Sequence, residues 1–250
     1  DYNSIQSGNP NLQNALSHNL SLRYFSFNLF NYTNVFAIVN YSKNIDQIRS
    51  ITNFDNVIST NSFFNSGFAD ESVTAIGRVQ RTFNKIRASL RVNFNYSKNN
   101  QFVQGVRSIN ERFSQNYTPE IRTNFREAPN VILRYGYTIT NNNQGTNSTT
   151  FKTNAPSVEV DAYILKTFTF RTDYTYTNQS GVGPSQSFQT WDASLSYRKD
   201  KDAKLEYEVR ANNILDIDSN VSNGASNISV FSSETFILPR IVTFRMIYTL

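Results

Sequence analysis

Apolar and polar residues alternate with period two through most of this chain. In the closing segment Val242, Phe244, Met246, Tyr248 and Leu250 alternate with Thr243, Arg245, Ile247 and Thr249. Successive strand side chains point to opposite faces, so one face of this segment is apolar and the other largely polar. The pattern recurs about eleven times in segments of roughly ten residues, the length a tilted strand needs to cross a bilayer. The expected fold is all-β, an antiparallel transmembrane β-barrel.

The strands follow from the alternation. Leu16, His18, Leu20, Leu22 and Tyr24 share one face of the first, and the chain turns back near Phe27 to Tyr32. A second strand near Val35 to Lys43 contains Phe36-Ala37-Ile38-Val39 unbroken, which leaves its facing open. After a polar stretch to about Ser72, Val73, Ala75, Gly77 and Val79 alternate, and Phe83-Asn84-Lys85-Ile86 reads as a two-residue hairpin turn. Ile86, Ala88, Leu90, Val92, Phe94 and Tyr96 form the clearest apolar face. Further strands follow near Tyr117 to Arg126, Leu133 to Ile139, Val158 to Ile164, Phe168 to Tyr176, Trp191 to Tyr197 and Leu205 to Ala211.

Parity fixes one register. Ile164 and Phe168 belong to the same face, so a three-residue turn, Leu165-Lys166-Thr167, sets Ala162 opposite Phe170 and Asp161 opposite Arg171. The same logic applied to Tyr197 and Leu205 sets Asp192 opposite Arg210.

Connections at Asn84, Pro129, Lys166 and Asp200 are short, and those near 44–70, 99–110, 141–150, 178–187 and 216–233 are longer. Outer-membrane barrels pair short periplasmic turns with long extracellular loops, and single-chain bacterial barrels have even strand numbers. About eleven strands, running from outside the cell to the periplasm, therefore predict part of a larger barrel.

Composition narrows the function classes. No apolar run approaches the roughly 20 residues of a transmembrane helix. Only 38% of residues are hydrophobic, which a barrel tolerates because every second strand residue avoids lipid. The 14 Tyr and 20 Phe suit strands and interfacial girdles, and Phe27, Phe30, Tyr32, Phe83, Phe168, Tyr197 and Tyr248 fall near predicted periplasmic ends. The net charge of +5 is scattered, without the basic run that tracks phosphates, so nucleic acid is not an expected partner. With no Cys and one His, a thiolate metal site is excluded and a transition-metal site has little to build from. The chain opens on Asp1 without Met or signal peptide, which predicts a processed, truncated or fragmentary product.

Catalytic chemistry has few candidates. A hydrolase would have to use His18, which sits on the apolar face of the first strand, so no enzymatic activity is expected. Asp216-x-Asp218-x-Asn220 resembles the start of a calcium loop, but Val221 stands where Gly is needed and Asn227 where the bidentate Glu is needed. No cofactor is expected.

The charges are more informative. With apolar residues toward lipid, Arg78, Arg91, Arg122, Arg134, Glu159, Asp161, Arg171, Asp173, Asp192, Glu206, Glu208, Arg210 and Arg245 face inward. An Arg or Lys facing lipid near the midplane would cost about 2–4 kcal/mol. Inward charges of both signs predict a wet or plugged lumen, with cross-strand ion pairs as the simplest role for each residue.

Two motifs carry a family resemblance. Gly8-Asn9-Pro10-Asn11-Leu12, followed by Ser17-His18-Asn19-Leu20 entering a strand, resembles the surface-loop signature of TonB-dependent outer-membrane receptors, although Asn14-Ala15 replaces that signature's Pro-Glu. Ala211-Asn212-Asn213-Ile214-Leu215-Asp216 resembles the Asn-Leu-Phe-Asp element above the penultimate strand, and Leu238-Pro239-Arg240 resembles the entry to the closing one, here ending on Leu250 rather than an aromatic. The resemblance implies that residues 1–250 are the C-terminal portion of a 22-stranded barrel domain, with the plug and N-terminal strands outside this chain. It implies nutrient uptake or a part in an envelope translocon, in the outer membrane of a Gram-negative bacterium. The implied partners are outer-membrane lipid, the remaining strands and plug, TonB through the missing N-terminal part, and a surface lipoprotein. Ligand contacts are expected on the outer loops named above, with no residue singled out. The alternatives are a small passive pore or structural outer-membrane barrel, and a soluble β-sandwich adhesin, which would need polar exteriors where this chain has Leu, Val and Tyr.

Overall fold

The computed structural model describes residues 4–55, 58–103, 106–126, 129–145, 147–200, 202–225 and 230–249. The described residues form strands β1 (Ser4–Ser7), β2 (Leu16–Asn28), β3 (Thr33–Ile45), β4 (Ile48–Asp55), β5 (Ile58–Asn65), β6 (Ala69–Phe83), β7 (Ile86–Val103) and β8 (Val106–Thr123). They continue as β9 (Asn130–Gln144), β10 (Asn147–Ile164), β11 (Phe168–Ser180), β12 (Gln186–Arg198), β13 (Leu205–Asn212), β14 (Ser219–Ala225), β15 (Val230–Phe236) and β16 (Ile241–Tyr248).

Eleven strands make one antiparallel sheet in the order β16-β13-β12-β11-β10-β9-β8-β7-β6-β3-β2. Neighbours in this sheet follow one another along the chain except at two insertions. The hairpin β4–β5, with β1 parallel to β5, lies between β3 and β6, and the hairpin β14–β15 lies between β13 and β16. No strand pairs β2 with β16, so the sheet is open and these strands are its edges. The eleven strands agree with the sequence pattern; closure into a barrel is absent from this sheet.

Register sorts the side chains. Rows such as Leu22–Val39–Ala75–Phe94 and Phe170–Leu195–Val209–Phe244 place directly paired residues on one face, and every strand of the sheet contributes apolar residues to it, with Gln115, Lys152 and Thr172 among its polar exceptions. Nothing covers it. Among the described residues the buried hydrophobics are Phe151 and Ala162, whereas Leu22 is 68% exposed, Phe244 68% and Leu195 43%. A soluble monomer rarely exposes an apolar patch beyond about 300–600 Å², and this face exposes apolar residues from one edge strand of the sheet to the other. The sheet therefore has no dry core of the kind that holds a β-sandwich together.

The apolar face has a defined upper limit. His18, Lys43, Glu71, Lys98 and Glu111 are successive cross-strand partners on that face, with Lys43–Glu71 at 3.0 Å and Lys98–Glu111 at 3.3 Å. On β7 the apolar residues run from Ile86 to Tyr96 before Lys98. That is roughly 33 Å of strand at about 3.3 Å per residue.

The turns at the other end are short. Asn84 takes a left-handed φ of 54° in the expected two-residue turn between Phe83 and Ile86. Leu165 and Lys166, at φ 53° and 61°, turn the chain between the paired residues Ile164 and Phe168. Two successive positive φ values match the right-handed twist of the flanking strands. Asp161 is opposite Arg171 and Ala162 opposite Phe170, as parity requires. The β12–β13 register differs from expectation: Ser194, not Asp192, is opposite Arg210, because Tyr197 pairs with Tyr207 and Arg198 with Glu206. This is a two-residue slip, which preserves the faces.

The expected long loops are largely strand. β7 and β8 stay paired up to Val103 and Val106, so the described parts of 99–110 continue the ladder. Asn143–Ser148 and Gln144–Asn147 do the same within 141–150, and Asn178–Ser187 and Gln179–Gln186 within 178–187. Segments 44–70 and 216–233 hold the inserted hairpins. Above the charged row the paired segments are mostly polar, with Ile109 opposite Asn100, so hydrophobic alternation fades while backbone pairing continues.

Candidate functional site

The second face of the sheet carries the chemistry. Arg78, Arg91, Arg122, Arg134, Glu159, Asp161, Arg171, Asp173, Asp192, Glu206, Glu208, Arg210 and Arg245 all lie on it by register. Each occupies the parity opposite to its apolar neighbours, which brings residues from distant parts of the chain onto one polar wall.

From β8 to β16 this wall is knitted by ion pairs. Arg134 bridges two strands, reaching Glu120 at 3.1 Å and Glu159 at 3.0 Å. Arg171 meets Asp161 at 2.8 Å, Arg198 meets Glu206 at 2.6 Å and Arg245 meets Glu208 at 3.3 Å. Arg210 donates to Asn212 Oδ1 at 3.0 Å rather than to Asp192, whose carboxylate instead accepts the backbone N–H of Asn213 at 2.7 Å. Glu159, Asp173 and Asp192 form one row across β10, β11 and β12. A hollow of about 460 Å³ lies here, lined by Arg122, Arg134, Glu159, Asp161, Arg171 and Asp173 among others.

From β2 to β8 the wall differs. Arg78 is opposite Arg91 and Arg87 opposite Arg122, two like-charge cross-strand pairs. Like charges directly opposite are unfavourable in a ladder. Arg78 donates to Gln80 at 2.8 Å, and Arg122 Nε is 3.7 Å from Glu120 and buried without a hydrogen-bond partner. Arg23 also belongs to this face, opposite Ile38. Parity alone identifies Arg87 and Glu120, although the apolar pattern draws attention to their neighbours instead.

The unbroken Phe36-Ala37-Ile38-Val39 run resolves here. Ala37 and Val39 join the apolar face, while Phe36 and Ile38 stand on the polar one beside Phe25 and Ile76. An apolar patch thus interrupts the polar wall next to Arg78. Of the aromatics expected in a girdle, Phe83, Phe168, Tyr197 and Tyr248 lie on the apolar face and Phe27 on the polar one.

Above the charged row the extended hairpins are cross-linked. Asp70 pairs with Arg49 and accepts from the backbone N–H of Asn100 at 2.7 Å. Asn100 is 2% exposed, and its carbonyl oxygen accepts from Arg107 Nε at 2.9 Å. Arg107 stacks 3.7 Å over the Phe68 ring. Backbone N–H and C=O of Asn223 both bond the Gln179 side chain, at 2.7 and 3.1 Å, tying β14 to β11. Asp216 accepts from the Arg240 backbone at 2.9 Å and from its guanidinium at 3.1 Å, which holds its carboxyl below the ordinary value. The carboxylate resembling a calcium ligand therefore serves as an anchor for the last strand; Asn227 lies outside the described residues. His18 stands opposite Lys43, and among the described residues no group of three His, Asp or Glu could hold a metal.

Comparison with family models, curated proteins and solved structures finds no match for this chain.

Proposed function

We propose that this chain forms part of the wall of an outer-membrane β-barrel transport protein, similar to TonB-dependent receptors, for nutrient uptake or as part of an envelope translocon. The observation that carries the reading is the uncovered apolar face running across all eleven strands. Its height on β7, roughly 33 Å along the strand, becomes roughly 23–25 Å at a tilt of about 40–45°, close to the apolar band of such barrels. In water this surface would drive aggregation; against hydrocarbon it is satisfied. The polar wall then lines a hydrated interior, and the cross-linked outer hairpins surround its mouth. The open edges at β2 and β16 favour completion by further strands over a small passive pore, which would need those two strands to pair.

The absence of Cys gives a clean test. Single cysteines at Leu90, Val92 and Leu195 carrying a spin label, with the protein in lipid bilayers, should relax with dissolved oxygen. Labels at Arg91, Ser194 and Glu208 should relax with a water-soluble nickel complex. Equal access of both relaxers to the two sets would defeat the membrane reading.

A further inference from the structure

We infer that the polar wall around Arg78 and Arg91 binds a solute that joins an oxyanion to an apolar group, an inference that rests on this wall facing the hydrated interior. Two independent observations meet in one row of partners, Phe25–Phe36–Arg78–Arg91. The first is uncompensated positive charge. Arg78 and Arg91 are directly opposed, and neither has an ion-pair partner among the described residues, whereas Arg134, Arg171, Arg198 and Arg245 on the same wall all do. Opposed guanidinium groups repel, and a carboxylate or phosphate placed between them converts that repulsion into charge-assisted, forked hydrogen bonds.

The second observation is the apolar patch. Phe25 is 69% exposed, Phe36 39% and Ile76 38% on a face that is otherwise polar at this level. Cross-strand partners have Cβ atoms about 4.5–5.5 Å apart, so a solute held by Arg78 has the Phe36 ring within immediate reach. Phe36 and Ile76 neither fill a core nor face the lipid side, and an apolar group on the solute is what their position suits.

The probes are phenyl phosphate and inorganic phosphate, titrated into the detergent-solubilised full protein and followed by phosphorus NMR linewidth. Saturable binding of phenyl phosphate, about tenfold tighter than inorganic phosphate, is expected. Replacing both arginines, R78Q with R91Q, should weaken phenyl phosphate about tenfold or more. F36S with I76S should reduce phenyl phosphate to the level of inorganic phosphate and leave the latter unchanged. R171Q, in the ion-paired half, should change neither. If the double arginine variant loses its β-sheet circular dichroism, R91Q alone should still weaken both probes. Absence of saturable binding, equal affinity for the two probes, or indifference to the arginine substitutions overturns the inference. A glutamate-rich peptide that binds where phenyl phosphate does not would also overturn it, in favour of an acidic polypeptide. Folding without detergent or lipid would instead count against the membrane reading, so the two failures separate.

Discussion

The two halves of the polar wall solve the same electrostatic problem in opposite ways. From β9 to β16 arginines meet carboxylates: Arg134 holds two at once, and Arg171, Arg198 and Arg245 hold one each. From β2 to β7 arginines oppose arginines, and Phe36 and Ile38 stand among them. Ion-paired ladders offset most charge within the wall itself, although carboxylates oppose one another in the row Glu159–Asp173–Asp192. A wall with surplus charge and exposed rings is left for something else to complete. The contrast separates a stretch of sheet whose arginines are mostly ion-paired from one whose arginines, on the inference above, await a ligand.

The largest expected effect sets the scale for that contrast by using the other face. Leu90→Arg places a guanidinium in the middle of the apolar band and should cost about 2–4 kcal/mol in refolding equilibria in lipid. A cost near zero would mean that this face meets water. Next, Arg134→Ala removes the ion pair of Glu159, leaves Glu120 only the 3.7 Å contact with Arg122, and should cost about 1–2 kcal/mol, whereas Arg91→Gln should cost nothing measurable or stabilise slightly. Equal destabilisation by the two substitutions, read from urea titrations in the same lipid, would erase the difference between the halves. A double-mutant cycle on Asp161 and Arg171, whose side chains are 52% and 63% exposed, should give only about 0.2–1 kcal/mol of coupling.

The smallest effect concerns the anchor of the last strand. Because Arg240 lowers the pKa of Asp216, the stabilisation it brings is present above the ordinary carboxylate range and is lost as pH falls through the lowered value. Hydrogen exchange at the Arg240 amide, corrected for its intrinsic pH dependence, should accelerate over that acidic interval in the native protein. Asp216→Asn should exchange at one rate across it. A native profile as flat as the variant's would remove the anchor from the account.

Legibility in the sequence tracks how much each position is constrained by its face. The hairpin around Leu165-Lys166-Thr167 was readable to the residue, because apolar Ile164 and Phe168 abut the turn and fix parity. The β12–β13 register was readable only to within two residues. Nothing in Lys199–Lys204 marks where pairing stops, and the Arg198–Glu206 ion pair holds β13 two residues out of the expected register. The upper hairpins escape altogether as strands: Asn99–Asn110 and Asn143–Ser148 pair through their backbones in segments whose few apolar residues do not alternate with polar ones. Of the polar wall, the charges were legible from parity. Their partners, and the intrusion of Phe36 and Ile38, needed the register.

The alternating row Lys43–Glu71–Lys98–Glu111 has a mechanical consequence. A wall that is uniformly greasy could bob along the membrane normal at little cost, since each residue sinking at one end is matched by another emerging. On the proposed membrane reading, a downward shift of two residues along the strands would drag the pairs Lys43–Glu71 and Lys98–Glu111 into hydrocarbon, and an upward one would lift Tyr96 and Val73 into water. The row behaves as a plimsoll line written in charge. On that reading it would hold the rim at one draught, and with it the height at which the proposed mouth meets the medium.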